Sequence, residues 1–416
     1  MAHADGKPGR RACDFAARAG RGAAADDAVR RQRLGPHPRT VRPADWQVPR
    51  RGRPVITRVA LDLYATDAAR RYTAAALDKG ERPSVASVAS AILKVQLTEA
   101  GRRAINDGMD ILGGKAIIGG PRNLLGVGYR HTPIAITVEG ANLLTRALII
   151  FGQGAVRCHP HVLAEMKAVA EQDAPALGRA LLAHGGHVLR NLWRSVAGAR
   201  IHVTPPPELR AEAKEIARLS AQFALTADLA MGLLGGKLKR LELLSARLGD
   251  VLSCLYLASA CLWRYEVEGE PKMLPLARAA VRTQLARGAL ILRELQANPP
   301  SRALAFVSPL LLGGTRRLTP PGDRAVLALA EALRTDPVLI ARLCPDVGMP
   351  KQGGLRDLIE ALALAEPVAG ELVALNHTLR RTRSLEESAA GARNPAAALA
   401  YLQAADRVIQ VDDFAP

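Results

Sequence analysis

The glycine-rich segment from Asp107 to Pro160 holds the residues whose types and spacing best suit chemistry. Its carboxylate Glu139 stands directly before Gly140, between the β-branched apolar run IAITV and the apolar, helix-like run NLLTRALIIFGQ. A charge among apolar residues is costly unless something requires it, and glycine allows close backbone approach. The pair is therefore the first candidate site. The simpler alternative is a glutamate placed near a helix start for its favourable interaction with the helix dipole.

A diglycine, Gly113-Gly114, follows a predicted amphipathic helix in the same segment. Two glycines after a helix commonly form a C-cap and turn. Further glycines and prolines follow up to Pro133, so the sequence predicts a loop from the diglycine to that proline.

Two groups of potential metal ligands do not form a recognisable motif. Cys158, His159 and His161 lie close together, but no fourth ligand with suitable spacing is apparent. His184 and His187 flank a second diglycine and are interpreted as structural or surface residues. The sequence therefore predicts no metal site.

Composition favours an all-α protein. About half of the 416 residues are apolar, only 3% are aromatic, and the Ala, Leu, Arg and Glu that dominate are good helix formers. Five scattered cysteines without a CxxC pair suggest reduced thiols in a cytosolic protein, and the helical spacing of Cys254 and Cys261 suggests packing. The uncharged run Val251 to Trp263 is shorter than the roughly 18–20 apolar residues that a membrane span needs, so we expect no transmembrane segment.

The formal charge of +18 is unevenly distributed. Residues 1–53 carry 12 Arg and one Lys against five Asp, a net charge of +8. The rest of the chain mixes both signs and lacks the basic-aromatic pattern that stacks nucleic-acid bases. We therefore expect no nucleic-acid function, although an Arg-rich binder of nucleic acid or anionic surfaces remains a third hypothesis.

The predicted organisation has three parts. Residues 1–54 form an Arg/Pro/Gly-rich disordered segment. Residues 55–203 form a helical bundle, and residues 204–416 form a second helical domain beginning at the triple proline. Within this last part, long helices are expected first, and shorter helices follow them at 323–334, 337–343, 355–378 and 395–408.

From about Leu61 onward the chain resembles the long bacterial fatty acyl-CoA dehydrogenases. The resemblance is carried by DGMDILGGKAIIGGPRNLLG, PIAITVEGANLLTR, IFGQGAVRCHP and LGGKLKRLELLSARLGDVLSCLYLASA, which occur in the family's order. It implies the family's C-terminal helical bundle followed by its bacterial extension. It also implies FAD-dependent conversion of fatty acyl-CoA to trans-2-enoyl-CoA in fatty-acid β-oxidation.

The resemblance assigns roles residue by residue. Glu139 corresponds to the family's catalytic base, and Gly140 to the glycine of its EG pair. Asp110, Gly113 and Gly114 correspond to the loop that contacts the ADP portion of FAD held by a neighbouring subunit. The chain departs from the common pattern at Asp110, where many members have Gln, and at Ala116, which replaces a third glycine. The implied partners are a fatty acyl-CoA substrate, an electron-transfer-flavoprotein-type acceptor and further copies of the chain.

The family's N-terminal helical domain, β-domain and R-x-x-F-G motif have no match here. We therefore expect a truncated chain, in which residues 1–53 are an out-of-frame or wrongly started translation. The alternative function is a non-catalytic helical remnant that serves only oligomerisation or interaction. The expected location is the cytoplasm, with peripheral attachment to the inner membrane as a second option.

Overall fold

The structure is a computed structural model that describes residues 52–117, 123–197, 205–300, 317–346, 351–382 and 384–407. All regular secondary structure in these residues is helical, which confirms the all-α prediction. Most of the disordered segment, residues 1–51, and the boundary at 203/204 lie outside the described residues, so both stay predictions.

The helices of the first half carry the candidate site and its surroundings. They are α1 Arg53–Asp78, α2 Pro83–Leu112, α3 Gly114–Ile117, α4 Gly126–Thr137, α5 Asn142–Leu144, the π-helix Thr145–Gln153, α6 Gly154–Cys158, α7 Val162–Ala170 and α8 Ala174–Ala197.

The second half contains the longest buried helices, followed by a group of shorter ones. They are α9 Arg210–Leu234, α10 Glu242–Glu268, α11 Leu274–Ala297, α12 Asp323–Thr335, α13 Pro337–Leu343, α14 Gly354–Ala365, α15 Leu372–Thr382, α16 Leu385–Ala390 and α17 Pro395–Arg407. Short 3₁₀ turns at Pro207–Leu209, Gly235–Arg240, Pro271–Met273 and Glu366–Val368 separate some of them.

The chain forms two compact units. Unit 1 comprises the described residues within 1–63, 100–135 and 326–416. In it, the Arg58 guanidinium donates to both carboxylate oxygens of Asp107, at 3.0 and 2.5 Å. A separate apolar core joins α14 to α17 around the buried ring of Tyr401.

Unit 2 comprises Tyr64–Glu99 and Ile136–Ala325. Its central helix α10 packs against α9, α11 and the π-helix. The fully buried Arg264 guanidinium lies 4.4 Å from the Tyr64 ring centroid and pairs with Asp67 at 3.2 Å and Glu268 at 2.9 Å. These partners offset the desolvation of its charge, since a buried charge without them is strongly destabilising.

Cys254 and Cys261 lie on α10 in this core and are free thiols. Burial raises the pKa of Cys254 to about 11 and the pKa of Cys261 to about 12. Both thiols are therefore protonated at neutral pH, which suits the packing role expected from their spacing.

Helix α10 is also the one described helix that is long and apolar enough to cross a membrane, and the bent pair of α4 with Asn142–Cys158 passes the same length and composition test jointly. In α10, 67% of the apolar window is buried inside the protein. This helix therefore has the character of a core helix, as its contacts with α9 and α11 indicate.

The loop predicted from the diglycine to Pro133 is wrong over its second half, because α4 is helical through Pro133. The Asn123 side chain explains the difference. Its Oδ1 accepts the backbone N–H groups of Leu125 at 3.0 Å and Gly126 at 2.7 Å, which caps the start of the helix.

Candidate active site

The Glu139-Gly140 pair forms a tight turn between α4 and α5, in unit 2. The backbone φ angles are +55° at Glu139 and +89° at Gly140, so two consecutive residues adopt left-handed conformations. Glycine adopts this conformation without penalty, but a residue with a side chain loses about 1–2 kcal/mol there. Interactions elsewhere must therefore hold Glu139 in place.

Lys94, on the middle of α2, supplies those interactions. Its Nζ donates to the carbonyl oxygens of Gly140 at 2.5 Å and Ile136 at 3.1 Å, and to Oδ1 of Asn142 at 2.6 Å. The ammonium therefore joins the end of α4, the turn and the start of α5. Because charge-assisted hydrogen bonds are among the stronger ones in proteins, this group fixes the backbone on both sides of Glu139.

Asn142 connects the turn to α2 a second time. Its buried side-chain Nδ2 donates to Thr98 Oγ1 at 3.0 Å and to Glu99 Oε1 at 2.9 Å. These two hydrogen bonds orient the side-chain amide so that its Oδ1 faces Lys94. The apolar residues of α2 in this region pack against Ile150 of the π-helix, which keeps the two elements in register.

The electrostatics of the turn centre on Lys94. Burial lowers the pKa of the Lys94 ammonium, while the nearby carboxylates of Glu139 and Glu99 act in the opposite direction. The hydrogen bonds of Lys94 hold its ammonium near the candidate base, and this position removes part of the water around the charge.

The Glu139 side chain itself is exposed, as are its neighbours Val138 and Ala141. The apolar runs that flank Glu139 in sequence therefore do not bury it. The helix before the turn, α4, has no buried residues, and the turn that follows it is exposed. The carboxylate is open to a ligand that approaches from outside.

The π-helix Thr145–Gln153 follows the turn directly. Its Arg146 forms a two-point ion pair with Asp250 of α10. The two helices also approach closely, since a Cβ added to Gly249 would lie 2.9 Å from the carbonyl oxygen of Arg146. π-helical segments are uncommon and occur frequently at functional sites.

The diglycine and Asp110 lie in unit 1, at the end of α2. Gly113 has a φ of +58°, and its N–H donates to the carbonyl of Met109 at 2.7 Å, so it terminates the helix as a C-cap. Gly114 begins α3, and Asp110 is exposed on the last turn of α2. Ala116, which stands where the family often has a third glycine, is buried.

Sequence reasoning missed Lys94 and Asn142, the residues that hold the candidate base. Both had a weak signal. Lys94 interrupts the apolar stretch AILKVQL, and Asn142 follows the EG pair by two residues. It also missed that His159, His161, His184 and His187 converge in unit 2.

Comparison with known proteins covers both halves of the chain. A family model for the bacterial-type C-terminal part of acyl-CoA dehydrogenases matches residues 156–414. A model for the acyl-CoA dehydrogenase C-terminal domain matches residues 52–151, which include all five predicted site residues.

A solved structure shares the fold. It is a crystal structure of an acyl-CoA dehydrogenase complexed with FAD from Bacillus anthracis, with 16% sequence identity and a TM-score of 0.51. The match covers 81% of this chain and 55% of that one, so this chain spans about half the length of its structural relative. Together with the family models, these findings show that the chain belongs to the acyl-CoA dehydrogenase family, in its bacterial type.

Proposed function

We propose that the chain carries the C-terminal machinery of an FAD-dependent fatty acyl-CoA dehydrogenase of β-oxidation, with Glu139 as the acceptor of the α-proton. The observation that carries the proposal is the position of Glu139. An exposed glutamate is held in a left-handed conformation by three hydrogen bonds from Lys94, within the segment that matches the family model. Sparsely populated backbone conformations of this kind cluster at functional sites.

The chemistry requires a fixed base. The α-proton of an acyl thioester is weakly acidic, and a carboxylate that is positioned and partly dehydrated removes it more readily. Glu139 provides the carboxylate, and Gly140 leaves the backbone beside it without a side chain. An acyl chain that covers the turn would exclude water from Glu139 and strengthen it as a base.

FAD, when bound, accepts the hydride that leaves the β-carbon. Asp110, Gly113 and Gly114 are the residues that would hold its ADP portion. The C-cap at Gly113 leaves a side-chain-free turn for a nucleotide to approach. The exposed Asp110 carboxylate suits hydroxyl or amino groups and repels phosphate, so we assign it to the adenosine end.

This arrangement predicts several partners. If FAD from a neighbouring subunit contacts the Gly113 turn, the active form is a homo-oligomer. Reoxidation of the flavin then needs an acceptor of the electron-transfer flavoprotein type. The free thiols Cys158, Cys254, Cys261 and Cys344 fit a cytoplasmic location.

The test is Glu139→Gln in the full chain, with a series of fatty acyl-CoA substrates. We expect turnover to fall by about 10²–10⁴-fold, the usual contribution of a general base, while the flavin absorbance of the purified protein is unchanged. Glu171→Gln, at an exposed carboxylate just after α7, is the matched control and keeps full activity. Full activity of the Glu139 variant would show that another group removes the proton.

A second function is favoured by a different observation. Helix α8 exposes a row of large apolar residues along one face: Leu182 at 80%, Leu189 at 68%, Trp193 at 72% and Val196 at 68%. Such a face suits an interaction module that keeps only oligomer-forming surfaces. A colourless preparation that added FAD does not reconstitute would favour this non-catalytic remnant.

A further inference from the structure

Four of the nine histidines of the chain converge in unit 2. His159 and His161 lie in the short link between α6 and α7. His184 and His187 lie one turn apart on α8. Their ring centroids are 4.9 to 6.5 Å apart. The fold therefore brings two pairs of histidines together, although the pairs are well separated in the sequence.

Asp228 of α9 lies at the centre of this cluster. One of its carboxylate oxygens is 2.8 Å from His159 Nε2 and 3.4 Å from His184 Nε2. The side chains of His159 and Asp228 are only 10% and 9% exposed.

The central atoms lie at ion-pair distance, but the angles between them are poor for hydrogen bonds. Among the described residues, neither oxygen of Asp228 has a partner with acceptable geometry, and neither has Nε2 of His159 or of His184. Buried polar atoms are nearly always well paired, whereas within the described part of the chain these atoms have short contacts only with one another, so a cation among them would find donors that no other group occupies.

The donor set matches a metal centre. One donor atom each from His159, His187 and Asp228 lies within 4.8 Å of the other two. Zinc ligands at about 2.0–2.2 Å in a tetrahedron are roughly 3.3 Å apart, so small movements of the side chains from these positions would complete the coordination. Two imidazoles and a carboxylate are a common ligand set for zinc and related divalent transition metals.

The outer contacts also suit metal binding. His184 Nδ1 lies 2.7 Å from Glu165 Oε1, which directs the other ring nitrogen toward Asp228. Asn191 is buried and lies 2.8 Å from His187 Nε2, which orients that ring. A carboxylate or amide behind a histidine is a common support for a metal ligand, and His184 and His187 each have one.

His159 must change tautomer to bind a metal through Nε2. Its Nδ1 accepts the backbone N–H groups of His161 and Val162 at 3.2 Å each, which places the ring proton on Nε2. A metal bound at Nε2 requires this proton to move to Nδ1, so binding costs the two backbone hydrogen bonds that Nδ1 accepts.

We propose that Asp228, His159 and His187 bind one divalent transition-metal ion of the zinc class, with His184 as the fourth ligand. A closed set of four protein ligands indicates a structural site. The ion would link the α6–α7 connection, α8 and α9 within the segment that matches the bacterial-type family model.

The test titrates the full chain, first treated with a chelator, with Co²⁺ as a spectroscopic substitute for zinc. We expect visible d–d bands of a tetrahedral ion that saturate at one equivalent and disappear when Zn²⁺ is added. Asp228→Asn should abolish the bands, and Glu165→Gln should weaken binding by about 10–100-fold. His377→Ala, at an exposed histidine outside the cluster, should bind as the unmodified chain does.

A second readout separates metal binding from folding. Zn²⁺ should raise the melting temperature of the unmodified chain and leave that of His187→Asn unchanged, while circular dichroism shows that both are folded. Equal Co²⁺ binding by the unmodified chain and by both the Asp228 and His187 variants would assign the ion to other histidines and overturn the proposal. Absence of tetrahedral bands in the unmodified chain would also overturn it.

Discussion

Replacing Lys94 by methionine should release the Glu139 turn. The change keeps most of the aliphatic side chain and removes the donor to Gly140, Ile136 and Asn142. Hydrogen bonds to charged groups contribute about 1.5–3 kcal/mol each. Gly140 and Ile136 are half-buried, so water can replace part of what their carbonyls lose, whereas the buried Asn142 oxygen loses its donor entirely.

The partial burial of Lys94 further reduces the stabilisation that its three hydrogen bonds provide, because burial disfavours the charged ammonium and lowers its pKa. We therefore expect a loss of about 2–4 kcal/mol rather than the full sum of three charged hydrogen bonds. In hydrogen-exchange mass spectrometry, the peptide spanning residues 136–144 should exchange about 30- to 900-fold faster, at 1.36 kcal/mol per factor of ten. The urea midpoint of the chain should fall as well.

Lys167→Met is the matched control. Its ammonium lies 3.7 Å from Glu171, and both side chains are mostly exposed, at 73% and 58%. Exposed pairs of this kind contribute less than about 1 kcal/mol, so exchange in the turn should not change. If the Lys94 variant showed unchanged exchange at residues 136–144, the hydrogen bonds from Lys94 would not be what holds Glu139.

Two further predictions concern packing and pH. Gly249→Ala should cost about 1–3 kcal/mol because the added methyl lies 2.9 Å from a π-helix carbonyl, whereas Gly232→Ala, in an open part of α9, should gain about 0.5–1 kcal/mol. Urea midpoints give both values, and equal shifts would contradict the close approach. Burial, together with neighbouring histidines, lowers the pKa of His161 and of His187. The unfolded chain therefore binds more protons below about pH 6.5, and the stability present above that pH is lost as pH falls through the lowered values. Melting temperatures of metal-free protein should fall over this range, and His187→Asn should flatten the profile; an unchanged profile would assign the loss to other groups.

The sequence predicted the helices well where a periodic apolar face was enough. The structure places α13 at Pro337–Leu343, as predicted, and α12 ends one residue later than predicted. The single helix expected over 355–378 is instead interrupted by the 3₁₀ turn Glu366–Val368. Pro367 lies in this turn, and proline cannot donate the next helical hydrogen bond.

The candidate site was predicted in part. The residue types at Glu139 and Gly140 singled out this position, because a carboxylate beside a glycine is unusual between apolar runs, but the left-handed turn itself was not predicted. The support from Lys94 could not be predicted, because it depends on which face of α2 meets the turn. The histidine cluster was missed for the same reason: Asp228 is 41 residues or more from each histidine in sequence, and only the packing of α8 against α9 brings them together.

The left-handed backbone at Glu139 places two selective pressures in opposition at one position. Glycine or asparagine would fit the turn with less strain, so the folded chain would gain stability by losing its carboxylate. A lineage that no longer needed proton transfer would face no barrier to that exchange and would drift toward those residues. Under the role proposed for Glu139, the chain therefore carries its base at a conformational cost that Glu139→Asn would relieve.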